Sequence, residues 1–181
     1  MRKLNAKLPH LALTLCLMLF GLTACTVGGI MDQDSYPAHT FSFDTLHDSP
    51  DVDVLDYQYS NSRHQGVRPE RERINMGQTF CCKNIYGSIL RGDFLYVKWR
   101  VKKPGTPEWA PEYLGTYEDR VDLRSRLPAD ITNLRIHFII RGSQLYVYLI
   151  WPGLKANSIP EGPIRMYRHQ KQVQIYPDES K

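Results

Sequence analysis

Reactive sulfur is the first chemistry this chain offers. Its 181 residues hold four cysteines, Cys16, Cys25, Cys81 and Cys82. Cys81 and Cys82 are neighbours. A disulfide holds its two Cα atoms about 4.4–6.8 Å apart, whereas a trans peptide holds neighbouring Cα atoms at about 3.8 Å. A vicinal disulfide between Cys81 and Cys82 would therefore be strained, although an oxidising compartment favours one. On a strand the two side chains point to opposite faces, which would give one core thiol and one exposed or partner-facing thiol. A metal pair has the least behind it, because no His stands at ligand spacing and no further Cys follows. Hydrolytic chemistry is equally thin. No Gly-x-Ser-x-Gly elbow and no His-Glu-x-x-His motif occurs. His169 and Lys171 form a single His-x-Lys, but the position where a phosphodiesterase of that pattern needs Asp holds Tyr176. The acid pairs Asp51 with Asp53 and Glu118 with Asp119 read as solvated loop residues, since nothing local sets them opposite one another. No cofactor or metal is called for, and the chain reads as a binding domain rather than an enzyme.

Cys25 belongs to a different chemistry. It ends Leu22-Thr23-Ala24-Cys25, which closes an apolar run preceded by Arg2, Lys3 and Lys7. A basic start, an apolar middle and a small-residue end make a secretory signal. The terminal Cys resembles the lipobox of bacterial lipoproteins, in which the sulfur receives a diacylglycerol and the signal is cut before it. Two other readings compete. Leu8 to Ala24 spans 17 residues and contains Pro9 and His10, at the lower limit of about 17–25 residues for a transmembrane helix. Plain secretion with an incidental Cys is the third. The expected division is a signal over 1–24, an acylated Cys25 with a tether over 25–50, and a β-rich domain over 51–181. The tether is rich in Gly, Asp and Pro, becoming ordered near its end, where Phe41 and Phe43 alternate with Ser42. Without Arg2, Lys3 and Lys7 the 23 basic residues fall to 20, against 19 acids. A nearly neutral domain lacks the basic stripe that nucleic acid requires.

The elements that must carry any site read as strands. Leu95, Val97, Trp99 and Val101 fall on one face of a period-two pattern, with Tyr96, Lys98, Arg100 and Lys102 on the other. Ile136, Phe138 and Ile140 precede Gly142-Ser143, and Leu145, Val147 and Leu149 follow it. A two-residue turn with Gly first predicts a type II′ hairpin. Val52, Val54 and Asp56 alternate in an earlier strand, and Val173 and Ile175 in a last one over about 172–176. A short turn or helix is expected around 117–126. Twelve prolines and eleven tyrosines suit strands and loops. The expected fold is all-β: one antiparallel β-sandwich or partly open barrel.

Candidate contact residues follow from charge and aromatic placement. Arg68-Pro69-Glu70-Arg71-Glu72-Arg73 alternates in sign, which fits either a self-neutralising loop or a charged contact surface offering Arg71 and Arg73. Pro104 to Pro111 encloses Trp109, with Tyr113 and Tyr117 behind it. Such aromatics either anchor an interface or pack onto their own sheet.

Several short motifs stand in one order: Phe80-Cys81-Cys82, Leu90-Arg91-Gly92, Val97-Lys98-Trp99, and Leu134-Arg135-Ile136-His137-Phe138. With Asp56-Tyr57-Gln58-Tyr59 near the start, they resemble a family of proteobacterial envelope lipoproteins of unknown function. That family includes immunity proteins to type VI secretion phospholipase effectors. The resemblance spans about residues 52–150, and Arg91-Gly92-Asp93 stands where the family has Pro-Gly-Leu. It implies a membrane-anchored periplasmic protein that binds a lipase effector and occludes it. Thr26 after Cys25, rather than Asp, implies outer-membrane residence by the usual sorting rule. A structural or assembly lipoprotein of an envelope complex is the alternative, and a small envelope enzyme a third.

Overall fold

The computed structural model describes residues 35–153 and 162–178. The signal, Cys25 and Thr26 therefore lie outside the described residues. Eight strands form two sheets. They are β1 (Ala38–Asp44), β2 (Val52–Ser60), β3 (Cys82–Ser88), β4 (Phe94–Lys102), β5 (Tyr113–Asp122), β6 (Arg135–Arg141), β7 (Gln144–Ile150) and β8 (Gln172–Tyr176). Two short helices, α1 (Thr45–Asp48) and α2 (Arg71–Asn75), and a 3-10 turn at Arg165–Tyr167 complete the described elements. The larger sheet has the order β3-β1-β6-β7-β8 and the smaller β2-β4-β5. Their apolar faces meet in one core, so the fold is an all-β sandwich. All pairings are antiparallel except β1 with β6, which run parallel through Thr40–Arg135, Phe41–Ile136 and Ser42–His137.

Alternation explains most of this. Leu95, Val97, Trp99 and Val101 are buried from β4, and Ile136, Phe138, Ile140, Leu145, Val147 and Leu149 meet them from β6 and β7. Trp99 sits between the sheets, where its indole N–H donates to the Gly142 carbonyl at 3.0 Å. That bond reaches the β6–β7 turn, in which Gly142 has φ +57° and Arg141 faces Gln144. Ser143 stays at negative φ, as a type II′ turn requires. Aromatic rings fill the other end of the core: Phe41 stacks on Tyr59 at 5.0 Å and Phe43 on Phe138 at 4.6 Å. Gly92 admits the Tyr59 ring so closely that a Cβ there would collide with it.

Four expectations are corrected. Residues 38–48 are not tether: β1 is a central strand whose Phe41 and Phe43 are core, and α1 follows it directly. The stretch expected as a short turn or helix, 117–126, is strand as far as Asp122, where β5 ends, and a turn over 124–126. In β2 a bulge between Val54 and Asp56 changes the phase. Val52 and Val54 point inward, then Tyr57 and Tyr59, so Asp56 turns outward rather than in phase with the valines. Finally, neither Cys81 nor Cys82 is a core thiol; both are exposed.

Candidate functional site

The five residues expected to make a contact surface fall on two opposite edges of the smaller sheet. The β4–β5 connection carries Trp109 and leads into Tyr113. It is closed at its base by Lys103, whose amide donates to the Glu112 carbonyl at 2.8 Å and whose ammonium meets the Glu112 carboxylate at 2.7 Å. Thr106 and Ala110 add internal turn bonds to Lys103 and Pro107. This built loop holds Trp109 at 87% exposure, with Leu114 at 61% beside its exit. Leu114 stands out because the β4–β5 pairing skips it: Lys102 faces Tyr113 and Val101 faces Gly115.

Tyr113 is half-buried on the outer face, its hydroxyl donating to Asp53 at 2.6 Å under the Arg100 guanidinium, which lies 3.9 Å from its ring centre. Tyr117 is only partly exposed. It turns inward and stacks on Trp99 at 6.1 Å. Arg71 and Arg73 lie on α2 at the other edge, where Arg73 covers Phe80 at 4.8 Å and donates to Gln78 at 2.8 Å. Phe80 bridges to Val54 of β2. Three strand spacings therefore separate these arginines from β5, about 14 Å. Trp109 and Tyr113 form one patch, Arg71 and Arg73 another.

The face between them is polar and neutralises itself. Asp53 meets Lys102 at 3.1 Å and Arg100 at 3.7 Å, Asp56 meets Arg68 at 3.6 Å, and Lys98 meets Glu118 at 3.9 Å. Arg68 thus pairs with a strand residue rather than with the acids of its own run. Partial burial still raises the Asp56 carboxyl above the usual range, against the opposing pull of Arg68. Tyr96 donates to Glu118 at 3.0 Å, and burial with that carboxylate pushes its phenol up to about 12.

The two thiols sit at the corner where the chain leaves the smaller sheet and joins the larger. Cys81 and Cys82 are free, with sulfurs 2.9 Å apart. The Cys81 carbonyl accepts from both the amide and the hydroxyl of Thr45, at 2.8 and 2.9 Å. Desolvation, the Cys81 sulfur and the Asp44 carboxylate push the Cys82 thiol up to about 12. Among the described residues no cluster of His, Cys, Asp and Glu could hold a metal.

Sequence reasoning missed one constellation. On the outer face of the larger sheet Ser42 bonds His137 Nδ1 at 2.8 Å, and Asp48 Oδ2 lies 3.3 Å from His137 Nε2. The Asp48 side chain is fully buried, and its Oδ1 accepts from the Arg165 amide at 2.9 Å. Hydroxyl, imidazole and carboxylate in a row are the residue types of nucleophilic hydrolysis. A cavity of about 260 Å³ borders Ser42 and His137. Nucleophilic attack needs an oxygen open to substrate, however, and Ser42 is 2% exposed, flanked by the core residues Phe41 and Phe43. Burial holds the His137 imidazole below its ordinary pKa, partly offset by Asp48. A neutral ring accepts from Ser42 at Nδ1 and faces Asp48 with Nε2, but the 3.3 Å approach lacks hydrogen-bond geometry, so Nε2 and Oδ2 remain buried without a hydrogen bond. The row joins β1, α1, β6 and the 3-10 turn, and its capacity is mechanical. His39 is held similarly in the core: Nδ1 donates to the Pro37 carbonyl at 2.7 Å, Nε2 accepts from Tyr59 at 2.9 Å, and desolvation lowers its pKa. Sequence carried one signal for the His137 row, a lone His between two core residues of a strand. Asp48 gave none, because the contact spans 89 positions.

No family model, no curated protein and no solved structure matches this chain. The reading of function rests on the residues themselves.

Proposed function

We propose that this chain is a lipid-anchored periplasmic binding protein that neutralises a phospholipase effector by occlusion. The partner comes from the resemblance of the Cys81-Cys82, Val97-Lys98-Trp99 and Ile136-His137-Phe138 motifs. The anchor comes from the Leu-Thr-Ala-Cys ending at Cys25. The observation that carries the binding reading is Trp109, an exposed indole on a loop closed by the Lys103–Glu112 pair. A large aromatic held in water by a built loop is poised to bury its area against a partner at small entropic cost. Leu114 extends that apolar contact, and Tyr113 adds a polar rim. A sandwich of this kind supplies a rigid surface, and inhibition by covering an enzyme entrance needs nothing more. Acyl chains on Cys25 would keep the inhibitor on the outer membrane, facing the periplasm, where a lipase attacks, raising its effective concentration there.

The test is co-expression of the chain with each candidate lipase encoded beside it, sent to the periplasm, with survival as readout. Wild type should rescue, Cys25→Ala should rescue poorly, and Trp109→Ala should weaken lipase binding by more than about 1 kcal/mol. Failure of rescue by every adjacent candidate would sink the immunity reading and favour a structural subunit of an envelope complex. Full affinity in Trp109→Ala would remove the loop from the interface.

A further inference from the structure

Arg135 is the feature that neither the core nor the binding loop uses. It stands on the outer face of β6, half-buried, and no carboxylate among the described residues pairs with it. One edge of its guanidinium is fixed by Nη1 donating to Asn84 Oδ1 at 2.9 Å. One face is fixed by the Tyr167 ring, whose centre lies 4.5 Å away. The remaining donors have no partner among the described residues. A guanidinium held on an edge and a face, and left open elsewhere, is prearranged for an acceptor that is not part of the fold.

Beside it opens a pocket of about 370 Å³, lined by Thr40, Tyr86, Asn133, Arg135, Ile150 and Gln170 with Pro152 and Gly153. Among the described residues that line it there is no acid. The walls divide by chemistry. Tyr86 brings a hydroxyl, Asn133 and Gln170 bring amides, Pro152 makes an exposed apolar side, and the nearly buried Thr40 and Ile150 form the floor. The volume lies in the usual range for a small-molecule site. The pocket has a fold-level cause. The parallel pairing sets Thr40 directly beside Arg135, and the antiparallel neighbours place Tyr86 and Ile150 in the same row. Four strands therefore deliver one positive charge, two hydrogen-bonding groups and an apolar floor to a single band of the sheet.

We propose that this pocket binds a small organic monocarboxylate, with the carboxylate on the open donors of Arg135 and the organic body against Pro152. The single positive charge selects a monoanion over a dianion such as phosphate. The planar fork of Arg fits a planar carboxylate through two parallel bonds. Desolvation of Arg135 by its surroundings, which lowers its pKa from the ordinary value, makes an added counter-charge more valuable there than at an exposed Arg.

The probes are hexanoate, its neutral counterpart hexanamide, and inorganic phosphate, titrated into the full chain purified in detergent micelles. Ligand-observed NMR gives affinity and the melting midpoint gives stabilisation. Hexanoate should bind and raise the midpoint, hexanamide should do neither, and phosphate should bind at least tenfold more weakly. Arg135→Gln should weaken hexanoate tenfold or more. Arg135→Lys, which keeps the charge and loses the fork, should fall between. Thr40→Val, which leaves Arg135 in place, provides a second reading should Arg135→Gln fail to fold, and should weaken hexanoate severalfold. Equal binding of hexanoate and hexanamide, or unchanged affinity in both Arg135→Lys and Thr40→Val, would overturn the proposal. Phosphate binding as tightly as hexanoate would overturn the assignment to a carboxylate.

Discussion

Replacing Asp48 by Ala tests the buried row most directly. In the native state Asp48 Oδ1 accepts from the Arg165 amide at 2.9 Å, and Oδ2 stands 3.3 Å from His137 Nε2. The substitution leaves the Arg165 amide without its acceptor and removes the carboxylate that faces His137 Nε2 without a hydrogen bond. His137 is 1% exposed, so water does not readily replace the carboxylate at Nε2. Leaving a buried donor unsatisfied costs about 1–3 kcal/mol. One lost hydrogen bond, at the Arg165 amide, and one lost electrostatic contact, at His137, should together cost about 1–3 kcal/mol. The assay is urea denaturation of wild type, Asp48→Ala, His137→Ala and the double variant. A direct coupling predicts that the double variant is more stable than the sum of the single losses implies, by about 0.5–3 kcal/mol. A loss below about 0.5 kcal/mol in Asp48→Ala, or additivity within about 0.3 kcal/mol, would refute the account of the row as a clamp.

Both buried histidines have pKa values lowered chiefly by desolvation. The unfolded chain therefore binds more protons than the native one below about pH 6.5, and stability should fall as pH drops through and below that value. Denaturation midpoints between pH 7.5 and 5 measure this; a flat profile, or an unchanged slope in His137→Asn, would contradict it. With its thiol pushed up to about 12, Cys82 should be alkylated by iodoacetamide at pH 8 far more slowly than a free cysteine, as site-resolved mass spectrometry would report. Alkylation at the rate of free cysteine would show that the Asp44 and Cys81 neighbours do not act as described. Gly92→Ala drives a methyl into the Tyr59 ring and should cost about 1–3 kcal/mol, read as a lower denaturation midpoint; an unchanged midpoint would mean that Tyr59 moves freely.

The chain determined by itself what depends on period-two alternation. The faces of β4, the β6–β7 hairpin with its Gly142-Ser143 turn, and the bounds of β8 were all legible, because an apolar residue at every second position is a local signal of a half-buried strand. Where a strand turns few apolar residues inward the signal fades. β5 presents Glu118, Arg120 and Asp122 outward and offers little apolar residue inward before Val121, so its second half read as a short turn or helix. β3 likewise alternates exposed with half-buried residues throughout and buries none. The bulge in β2 was invisible, since a shift of phase is set by the partner strand rather than by composition. Tertiary structure alone decided the pairing of β1 with β6, which joins residues 95 positions apart, and everything built on it. The Ser42–His137–Asp48 row and the pocket beside Arg135 exist because burial of two apolar faces forces those strands together. The residues on the opposite faces are then carried into contact with no sequence signal of their own.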